Sequence, residues 1–383
     1  MRSGSQPPSQ EIPQEAVSLA EIGRVFLKLG CIGFGGPLAH IALIQRETVE
    51  TRRWISPERF MEGLGLSQAL PGPASTQLVI YIGYRLRKHW GGVVAGCAFI
   101  LPAFLLLALL TWSYFRFGAM PAIQGLFYGM TPVVLAMILV SGYSLSRTAA
   151  PDWALKAILG GSVLAVGLFS FSIVLLFALA GLAGFILYGP ARKKFPLSFH
   201  LLALAPLPVL GQVGWFFLKV GSLIFGGGLV IVPFIEQEVV DKLGWLTRRE
   251  FLDGLALGQI TPGPVVITAT FIGYKVAGWA GAVVATVAIF LPSFVFIFLG
   301  VAFLGRIERS RTVQAILKTV NAAAVGAIIG SFVSLSRAAL LQALPLAWFA
   351  VALIAMLRFK IGFVKVLGAG AILGLLAHGL GLA

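Results

Sequence analysis

Long apolar runs separated by short polar connections make up nearly all of this chain. In its first half they cover residues 22–44, 57–84, 90–114, 121–145, 153–170 and 172–188. Most of these runs approach the ~20 residues that a helix needs to cross a bilayer. Hydrophobic residues account for 58% of the chain and charged residues for only 11%, whereas a soluble domain has about 25% charged residues. The pattern predicts an all-α polytopic membrane protein.

The second half of the sequence repeats the first half. The segment FLKLGCIGFGG at Phe26 returns as FLKVGSLIFGG at Phe217, an offset of 191 residues that also relates Trp54 to Trp245. After a one-residue slip, an offset of 190 carries the register on to the two SLSR segments. We therefore predict a disordered leader over 1–21, a first transmembrane repeat over 22–188, a basic linker with an extra short span over 189–212, and a second repeat over 213–383.

The distribution of Lys and Arg predicts that the two repeats are inverted relative to each other. Basic residues concentrate in cytoplasmic loops. If the N-terminus is cytoplasmic, the inside loops of the first half hold eight basic residues and the outside loops five. In the second half nine basic residues fall in the loops equivalent to those outside loops, and two in the others. An odd span would turn the second half over, which gives 12 or 13 spans. Parallel halves are the alternative, and re-entrant segments at the glycine-rich or Pro-Gly-Pro breaks would change the span count but not the inversion.

Each half carries a Pro-Gly-Pro break inside an apolar run. Proline removes a backbone donor and glycine allows positive φ, so the helix stops and restarts. The restarted helix presents free amides and the positive pole of its dipole, which suits an anion. Broken helices in inverted repeats are typical of secondary transporters, which bind their substrate near the bilayer midplane. The predicted substrate site contains Pro71, Gly72, Pro73, Ser75, Thr76, Pro262, Gly263, Pro264 and Thr268.

Glycine-rich breaks, lysines and glutamines add candidates to this site. Each glycine pair follows a lysine by a few residues, and each Pro-Gly-Pro follows a glutamine. The lysines could instead extend to the membrane surface, and the glutamines could satisfy freed carbonyl groups. The added candidates are Lys28, Gly35, Gly36, Gln68, Lys219, Gly226, Gly227 and Gln259.

Four carboxylates are candidates for proton coupling. Glu47 matches Glu238 in the repeat, and Glu62 matches Asp253. An ionisable residue within a span is a functional hypothesis by default, because burying a charge in hydrocarbon is expensive. Ion pairing near the membrane surface is the alternative for Glu47, which follows a basic residue.

The remaining composition excludes several other classes. The net charge is +15, but its Lys and Arg residues lie in loops between spans, so we expect no nucleic-acid partner. Cys31 and Cys97 both fall in apolar segments, so we expect neither a disulfide framework nor a metal site. We also expect no cofactor.

Two sets of fixed spacings resemble the signature of the chromate ion transporter family in its long-chain, two-domain form. Gly35-Gly36 is followed after twelve residues by Val49, after four more by Trp54, and after sixteen more by Pro71-Gly72-Pro73. The second half repeats the elements with its own glycine pair, valine, tryptophan and Pro-Gly-Pro. The resemblance implies a multi-pass protein of the bacterial inner membrane that exports chromate, driven by the proton motive force, and confers chromate resistance. It is not an enzyme on this reading.

Two alternatives stay open at this point. A transporter of sulfate or another oxyanion would use the same kind of site, because sulfate has the shape and charge of chromate. A membrane-embedded lipid pyrophosphate phosphatase would need a nucleophile or base beside an arginine, and neither Pro-Gly-Pro is followed by an arginine within its helix. Expected partners are therefore chromate or sulfate, protons and the bilayer, with a homodimer left open.

Overall fold

The computed structural model describes residues 17–34, 36–188, 208–224 and 228–382, and the described chain is helical with no strand. The first half contains α1 (Leu19–Ile32), α2 (Gly36–Gln45), α3 (Pro57–Ala69), α4 (Ala74–Phe117), α5 (Pro121–Ala149), α6 (Trp153–Phe169) and α7 (Ile173–Tyr188). The second half contains α8 (Val209–Leu223), α9 (Ile231–Ile235), α10 (Arg248–Ile260), α11 (Thr268–Arg309), α12 (Arg311–Ala339), α13 (Ala343–Leu357) and α14 (Phe363–Gly379). The predicted all-α class is confirmed.

Four of the described helices are long and apolar enough to cross a membrane by length and composition. They lie within α4, α5, α11 and α12, and five shorter apolar helices accompany them. Side-chain caps begin several of the other helices: the Ser18 hydroxyl accepts the Glu21 amide, and Thr247 forms a capping box with Glu250. Such caps satisfy backbone donors that have no partner within the helix.

The longest helix, α4, folds back on itself. Arg87 and Lys88 leave helical geometry, and Lys88 has a positive φ of 53°. A methyl group added to Gly83 would collide with the carbonyl oxygen of Gly91, although eight residues span about 12 Å along a straight helix. The arms 74–86 and 89–117 are therefore antiparallel and touch through glycine. Helix α11 folds in the same way, with non-helical geometry at Ala277 and Gly278.

The segment that contains the first glycine-rich break is a hairpin. The Arg52 guanidinium lies 2.8 Å from the Glu21 carboxylate, and the Lys28 ammonium lies 3.5 Å from the Glu47 carboxylate. Residues late in the segment thus pair with residues early in it, in antiparallel order. A π-helical turn, Arg46–Thr51, extends the returning arm beyond α2.

The segment that contains each Pro-Gly-Pro is a second hairpin. Gly63 in α3 packs directly against the Tyr81 ring in α4, and in the second half Gly254 packs against Phe271. Gly258 packs against Thr268 close to the turn. In each half, the second arm of the hairpin therefore returns to the end of the molecule at which the first arm began.

This reversal corrects the predicted spans. The runs 22–44 and 57–84 were expected to cross the membrane once each, but each turns back at its break, so the number of crossings falls below the expected 12 or 13. The reason is that a glycine-rich or Pro-Gly-Pro break permits a reversal as readily as a kink. The structure has two ends: the first end holds the hairpin bases of the first half (52–56 and 87–88), and the second end holds those of the second half.

The packing of equivalent helices confirms that the halves are inverted. In the long arms of α4 and α11, Gly92 packs against Phe298 and Gly96 against Phe294. One residue number rises as the other falls, so these two equivalent arms run antiparallel. Parallel halves would give equivalent helices the same direction across the membrane.

One loop at the first end ties the halves together. The Asp152 carboxylate caps α6 by accepting the Leu155 amide, accepts the Tyr188 hydroxyl at 2.6 Å, and pairs with Lys318 of the second half at 3.2 Å. The Tyr188 hydrogen bond, followed by the backbone hydrogen bond, lowers the pKa of this exposed carboxyl below its ordinary value.

The predicted domain limits stay predictions, and two of the predicted segments fall largely on residues that the structure does not describe. Residues 1–16 of the predicted leader lie outside the described residues, and α1 already begins at Leu19. The extra short span expected within 189–212 falls largely on residues 189–207, which also lie outside the described residues.

Candidate functional site

The two kinds of break meet across the halves. The Gly72 amide of the first Pro-Gly-Pro donates to the Ile224 carbonyl oxygen at 2.7 Å, and the Gly263 amide of the second donates to the Gly33 carbonyl oxygen at 2.8 Å. Ile224 and Gly33 are equivalent residues at the offset of 191, as are Gly72 and Gly263. Each Pro-Gly-Pro turn is thus bonded to the end of the first helix of the other half. Both glycines adopt positive φ, 134° and 113°, which favours glycine at these positions.

The first Pro-Gly-Pro turn is surrounded by polar side chains. The Gln77 side-chain amide donates to the Pro71 carbonyl oxygen and so braces the turn. Ser293, in the long arm of α11, lies against Gly72, where an added methyl group would come within 2.7 Å of its hydroxyl oxygen. Ser293 and Gln77 are fully buried. The hydroxyl of Ser293 and the carbonyl oxygen of the Gln77 side chain have no hydrogen-bond partner.

The first turn of α4 adds further donors at this break. Ala74, Ser75 and Thr76 open the helix, and their amides precede the first residue that can bond within it. The Thr76 hydroxyl is fully buried and has no partner. An unpaired buried polar group costs about 1–3 kcal/mol, so a group of them beside a helix N-terminus favours a site that takes an anion.

His40 is a functional candidate that the sequence reasoning missed. It is buried in α2, where its Nε2 donates to the Gly33 carbonyl oxygen at 2.9 Å and its Nδ1 lies 3.4 Å from the Ser75 hydroxyl. Its ring also packs edge-on against Phe99. His40 therefore bridges the glycine-rich hairpin and the first turn of α4.

The second Pro-Gly-Pro turn is apolar by comparison. Val265, Val266 and Ile267 occupy the equivalents of the polar first turn of α4 and form a 3-10 turn instead. Thr268 donates to the Val265 carbonyl oxygen at 2.9 Å, so its hydroxyl is already used. The neighbour of Gly263 is the methyl group of Ala103, where the first break has Ser293. Among the described residues, unpartnered hydroxyls therefore lie beside the first break, whereas the hydroxyls of Thr261 and Thr268 at the second break bond to backbone carbonyl oxygens.

Both predicted lysines lie in ion pairs away from the Pro-Gly-Pro turns. Lys28 is exposed and pairs with Glu47, which also accepts from Arg52 at 3.0 Å. Lys219 pairs with Glu238 at 3.7 Å and lies over aromatic rings. The predicted coupling carboxylates Glu47 and Glu238 are the partners of these lysines, and both pairs hold the arms of the glycine-rich hairpins together.

The other two predicted carboxylates differ from each other. Glu62 is partly exposed and lies 3.5 Å from Arg59 on the same helix. Asp253 is buried and accepts the Tyr114 hydroxyl at 2.8 Å, while its other carboxylate oxygen has no partner. This contact joins α10 of the second half to α4 of the first half at the second end.

The remaining predicted site residues differ in burial, and three of them lie outside the described residues. Gln68 is exposed, and the side-chain nitrogen of half-buried Gln259 has no partner. Pro262 and Pro264 are buried with the second turn. Gly36 is half-buried with a positive φ of 82°, whereas Gly35, Gly226 and Gly227 lie outside the described residues. Within the described residues there is no group of three potential metal ligands.

The sequence of this chain is similar to that of known proteins over most of its length. The family model described as chromate transporter matches the chain twice, over residues 20–185 and 211–375. The chain is 36% identical to the chromate transport protein of Cupriavidus metallidurans over 94% of both chains. It is 38% identical to the probable chromate transport protein of Synechococcus elongatus, over 85% of this chain and 86% of the relative. For the chromate transport protein of Pseudomonas aeruginosa the identity is 34%, over 82% and 80%. No solved structure gives a significant match.

Proposed function

This chain belongs to the chromate transporter family, and we propose that it exports chromate from the bacterial cytoplasm across the inner membrane as a secondary transporter. Relatives named as chromate transport proteins support the substrate and a transporter rather than an enzyme. The observation that carries the site is the group of buried, unpartnered hydroxyls of Thr76 and Ser293 beside the first Pro-Gly-Pro turn.

The chemistry of this turn suits a tetrahedral dianion. Chromate offers only acceptor oxygens, so it needs donors on several sides. Hydroxyls come from Thr76 and Ser293, and backbone amides come from the first turn of α4, at the positive pole of the helix dipole. Because Ser293 belongs to the second half and Thr76 to the first, a bound anion would contact both halves.

The membrane potential favours export of a dianion. Moving one charge across the membrane is worth about 2.3 kcal/mol per 100 mV, so two charges gain about 4.6 kcal/mol. Since 1.4 kcal/mol is a factor of about ten, this energy supports a gradient of about 2,000-fold. The electrical part of the proton motive force is thus sufficient for chromate export, and proton exchange would add to it.

Charge placement supports a cytoplasmic first end. Its loops and helix ends contain Arg52, Arg53, Arg85, Arg87, Lys88, Arg147, Lys156, Lys318, Arg358, Lys360 and Lys365. The second end contains Arg116, Lys242, Arg248, Arg249, Lys275 and Arg337. The positive-inside rule therefore assigns the first end to the cytoplasm, which agrees with an inner-membrane location.

Alternating access follows from the inverted halves. Thr76 and Ser293 are fully buried, so this conformation would have to open before an anion could reach them. The hydrogen bonds from Gly72 and Gly263 to the opposite halves hold this closed arrangement. Inverted copies can exchange conformations, and that exchange would open the site first to one end and then to the other.

Transport in proteoliposomes tests the proposal. Chromate trapped inside vesicles should leave faster when a potassium gradient with valinomycin makes the interior negative, and the rate should rise with potential. Ser293→Ala should weaken chromate binding several-fold, because it removes one donor. Ser331→Ala is the matched control, since Ser331 is equally buried but bonds within its own helix.

Sulfate is the competing substrate, and the same vesicles distinguish it. Excess sulfate that abolishes chromate movement at equal concentration would favour a general oxyanion carrier. Chromate movement that ignores the potential would contradict electrogenic export. A pH gradient at fixed potential measures any proton contribution, and Asp253→Asn should remove it if the buried carboxyl carries the proton. Increased chromate resistance of cells that express the protein would support the physiological role; the homodimer stays a prediction.

A further inference from the structure

The first Pro-Gly-Pro turn offers a dianion several neutral donors. Neither of the two lysines predicted to supply a positive charge lies at this turn. Lys28 and Lys219 are held by Glu47 and Glu238 in the two glycine-rich hairpins. A buried dianion without an opposing positive charge would be costly. A cation at this turn therefore has to come from another residue.

We propose that His40 is that cation: its imidazole is neutral in the empty site and takes up one proton when the dianion binds beside Ser75 and Thr76. The proposal rests on the proposed transport of an oxyanion. Its geometric basis is that His40 is buried and lies within hydrogen-bonding distance of the first turn of α4.

The hydrogen bonds of His40 define which nitrogen of its neutral ring carries the proton. A carbonyl oxygen can only accept, so the contact with Gly33 places a proton on Nε2. In the neutral ring Nδ1 is then an acceptor, which suits the Ser75 hydroxyl at 3.4 Å. The Gly33 carbonyl oxygen also accepts a hydrogen bond from the Gly263 amide. The Nε2 atom of His40, which donates to the same oxygen, therefore lies at the contact between the two halves.

The surroundings of Nδ1 explain why the second proton should arrive with the anion. The N-terminus of α4 presents the positive pole of its dipole, which opposes an imidazolium in the empty site. A dianion on the same amides reverses the sign of the local field. Proton uptake and anion binding therefore favour each other, as linked equilibria require.

The ion pairs closest to α2 do not include His40. In the π-helical turn after α2, Glu47 pairs with Lys28 and Arg52, and Arg52 also pairs with Glu21. The elements that contact His40 contribute the Gly33 carbonyl, the Ser75 hydroxyl and the Phe99 ring. Among the described residues, no carboxylate or cationic side chain forms a hydrogen bond or ion pair with its imidazole.

Chromate binding to the purified protein tests the proposal by calorimetry. The measurement uses alkaline buffers, in which chromate is fully deprotonated. From about pH 7.5 to about pH 9 the dissociation constant should rise about tenfold per pH unit, because each bound anion requires one proton. Titrations in two buffers with different heats of ionisation should show the uptake of about one proton per anion.

His40→Gln supplies the matched variant, because glutamine keeps an N–H donor for Gly33 but cannot become cationic. It should bind chromate at least tenfold more weakly, with no pH slope and no proton uptake. His89→Gln is the control: His89 is exposed and contacts Tyr84 and Phe298, so its replacement should preserve the slope.

The outcomes separate this inference from the proposed function. Wild-type protein that binds chromate without taking up a proton would overturn the role of His40 and leave the transporter proposal standing. The same holds if His40→Gln retains the wild-type pH slope. Wild-type protein that neither binds nor transports chromate would overturn the proposed function itself. The comparison of two buffers uses the wild-type chain, so it tests proton uptake on chromate binding even if the His40→Gln variant misfolds.

Discussion

Substituting Ala for Gly72 should separate the role of the first break in binding from its role in folding. Gly72 has φ of 134°, a region that side chains rarely adopt, and holding alanine there costs about 1–3 kcal/mol. The added methyl group would also collide with the Gln77 amide nitrogen and lie 2.7 Å from the Ser293 hydroxyl oxygen. Such overpacking typically adds about 1–3 kcal/mol. We expect a folded protein, destabilised by about 2–6 kcal/mol.

Gly263→Ala is the matched perturbation at the second break. Gly263 has φ of 113°, and its added methyl group would lie 2.9 Å from the Ala103 methyl group. The two variants should therefore lose similar stability. Only Gly72→Ala displaces polar groups of the proposed site, so it alone should weaken chromate binding, by tenfold or more. Gly160→Ala, in open space within α6, should be neutral or stabilise the helix by up to about 1 kcal/mol.

Thermal unfolding in detergent measures the stability of these variants, and equilibrium chromate binding measures the site. Both readings are needed, because a destabilised transporter can lose activity without any change at its site. Equal loss of chromate affinity in Gly72→Ala and Gly263→Ala would refute the assignment of the site to the first break. Unchanged affinity in both would show that neither turn contacts the anion.

Three further predictions concern topology, packing and pH. In a cysteine-free background, single cysteines at Arg53 and Arg87 should be labelled from the same side of the membrane; labelling from opposite sides would contradict the hairpin fold and restore two ordinary spans. Tyr114→Phe removes the donor to the buried carboxylate of Asp253 and should lower the free energy of unfolding by about 1–3 kcal/mol, whereas the same change in an Asp253→Asn background should cost less. The pKa of Asp152 is lowered in the folded protein. Its contribution to the free energy of unfolding should therefore be complete above the unfolded pKa of about 4 and disappear as the pH falls through the lower folded value. Asp152→Asn should abolish that part of the acid dependence of stability, and an unchanged dependence would contradict the prediction.

Sequence pattern predicted the helical class, the duplication and the inversion because each depends on properties that are written along the chain. Apolar length identifies membrane helices, and a constant offset identifies a repeat. Loop charge indicated the inversion, although the count placed Arg52 and Arg53 in an outside loop and the structure places them with Arg87 at the first end. The reversal at the breaks could not be predicted in this way. Apolar length gives no direction, and the contacts that fix it, such as Gly63 against Tyr81, join residues on either side of a turn.

The substrate site stays a prediction, but the surroundings of its two Pro-Gly-Pro turns could be predicted from the sequence only in part. Both Pro-Gly-Pro turns do lie where the halves meet, but the unpartnered hydroxyls lie beside the first. Part of this difference is visible in the sequence, since Ser75 and Thr76 correspond to valine and isoleucine in the second copy. Ser293 could not be assigned, because it lies more than two hundred residues from the turn that it contacts. His40 was passed over for a related reason: its partner, Ser75, is on another hairpin.

The unequal breaks suggest how a duplicated chain becomes a carrier with a single site. Two identical halves would form two equivalent anion sites near the midplane, and two dianions so close together would repel each other strongly in a low dielectric. With Val266 and Ile267 in place of the two hydroxyl residues, the second turn lacks those donors but keeps the backbone bond from Gly263 to the other half. The symmetric backbone contacts can then support exchange between two conformations, while the polar groups near Gly72 bind one anion. Under this argument, restoring polar residues at the second turn should add binding capacity without improving transport.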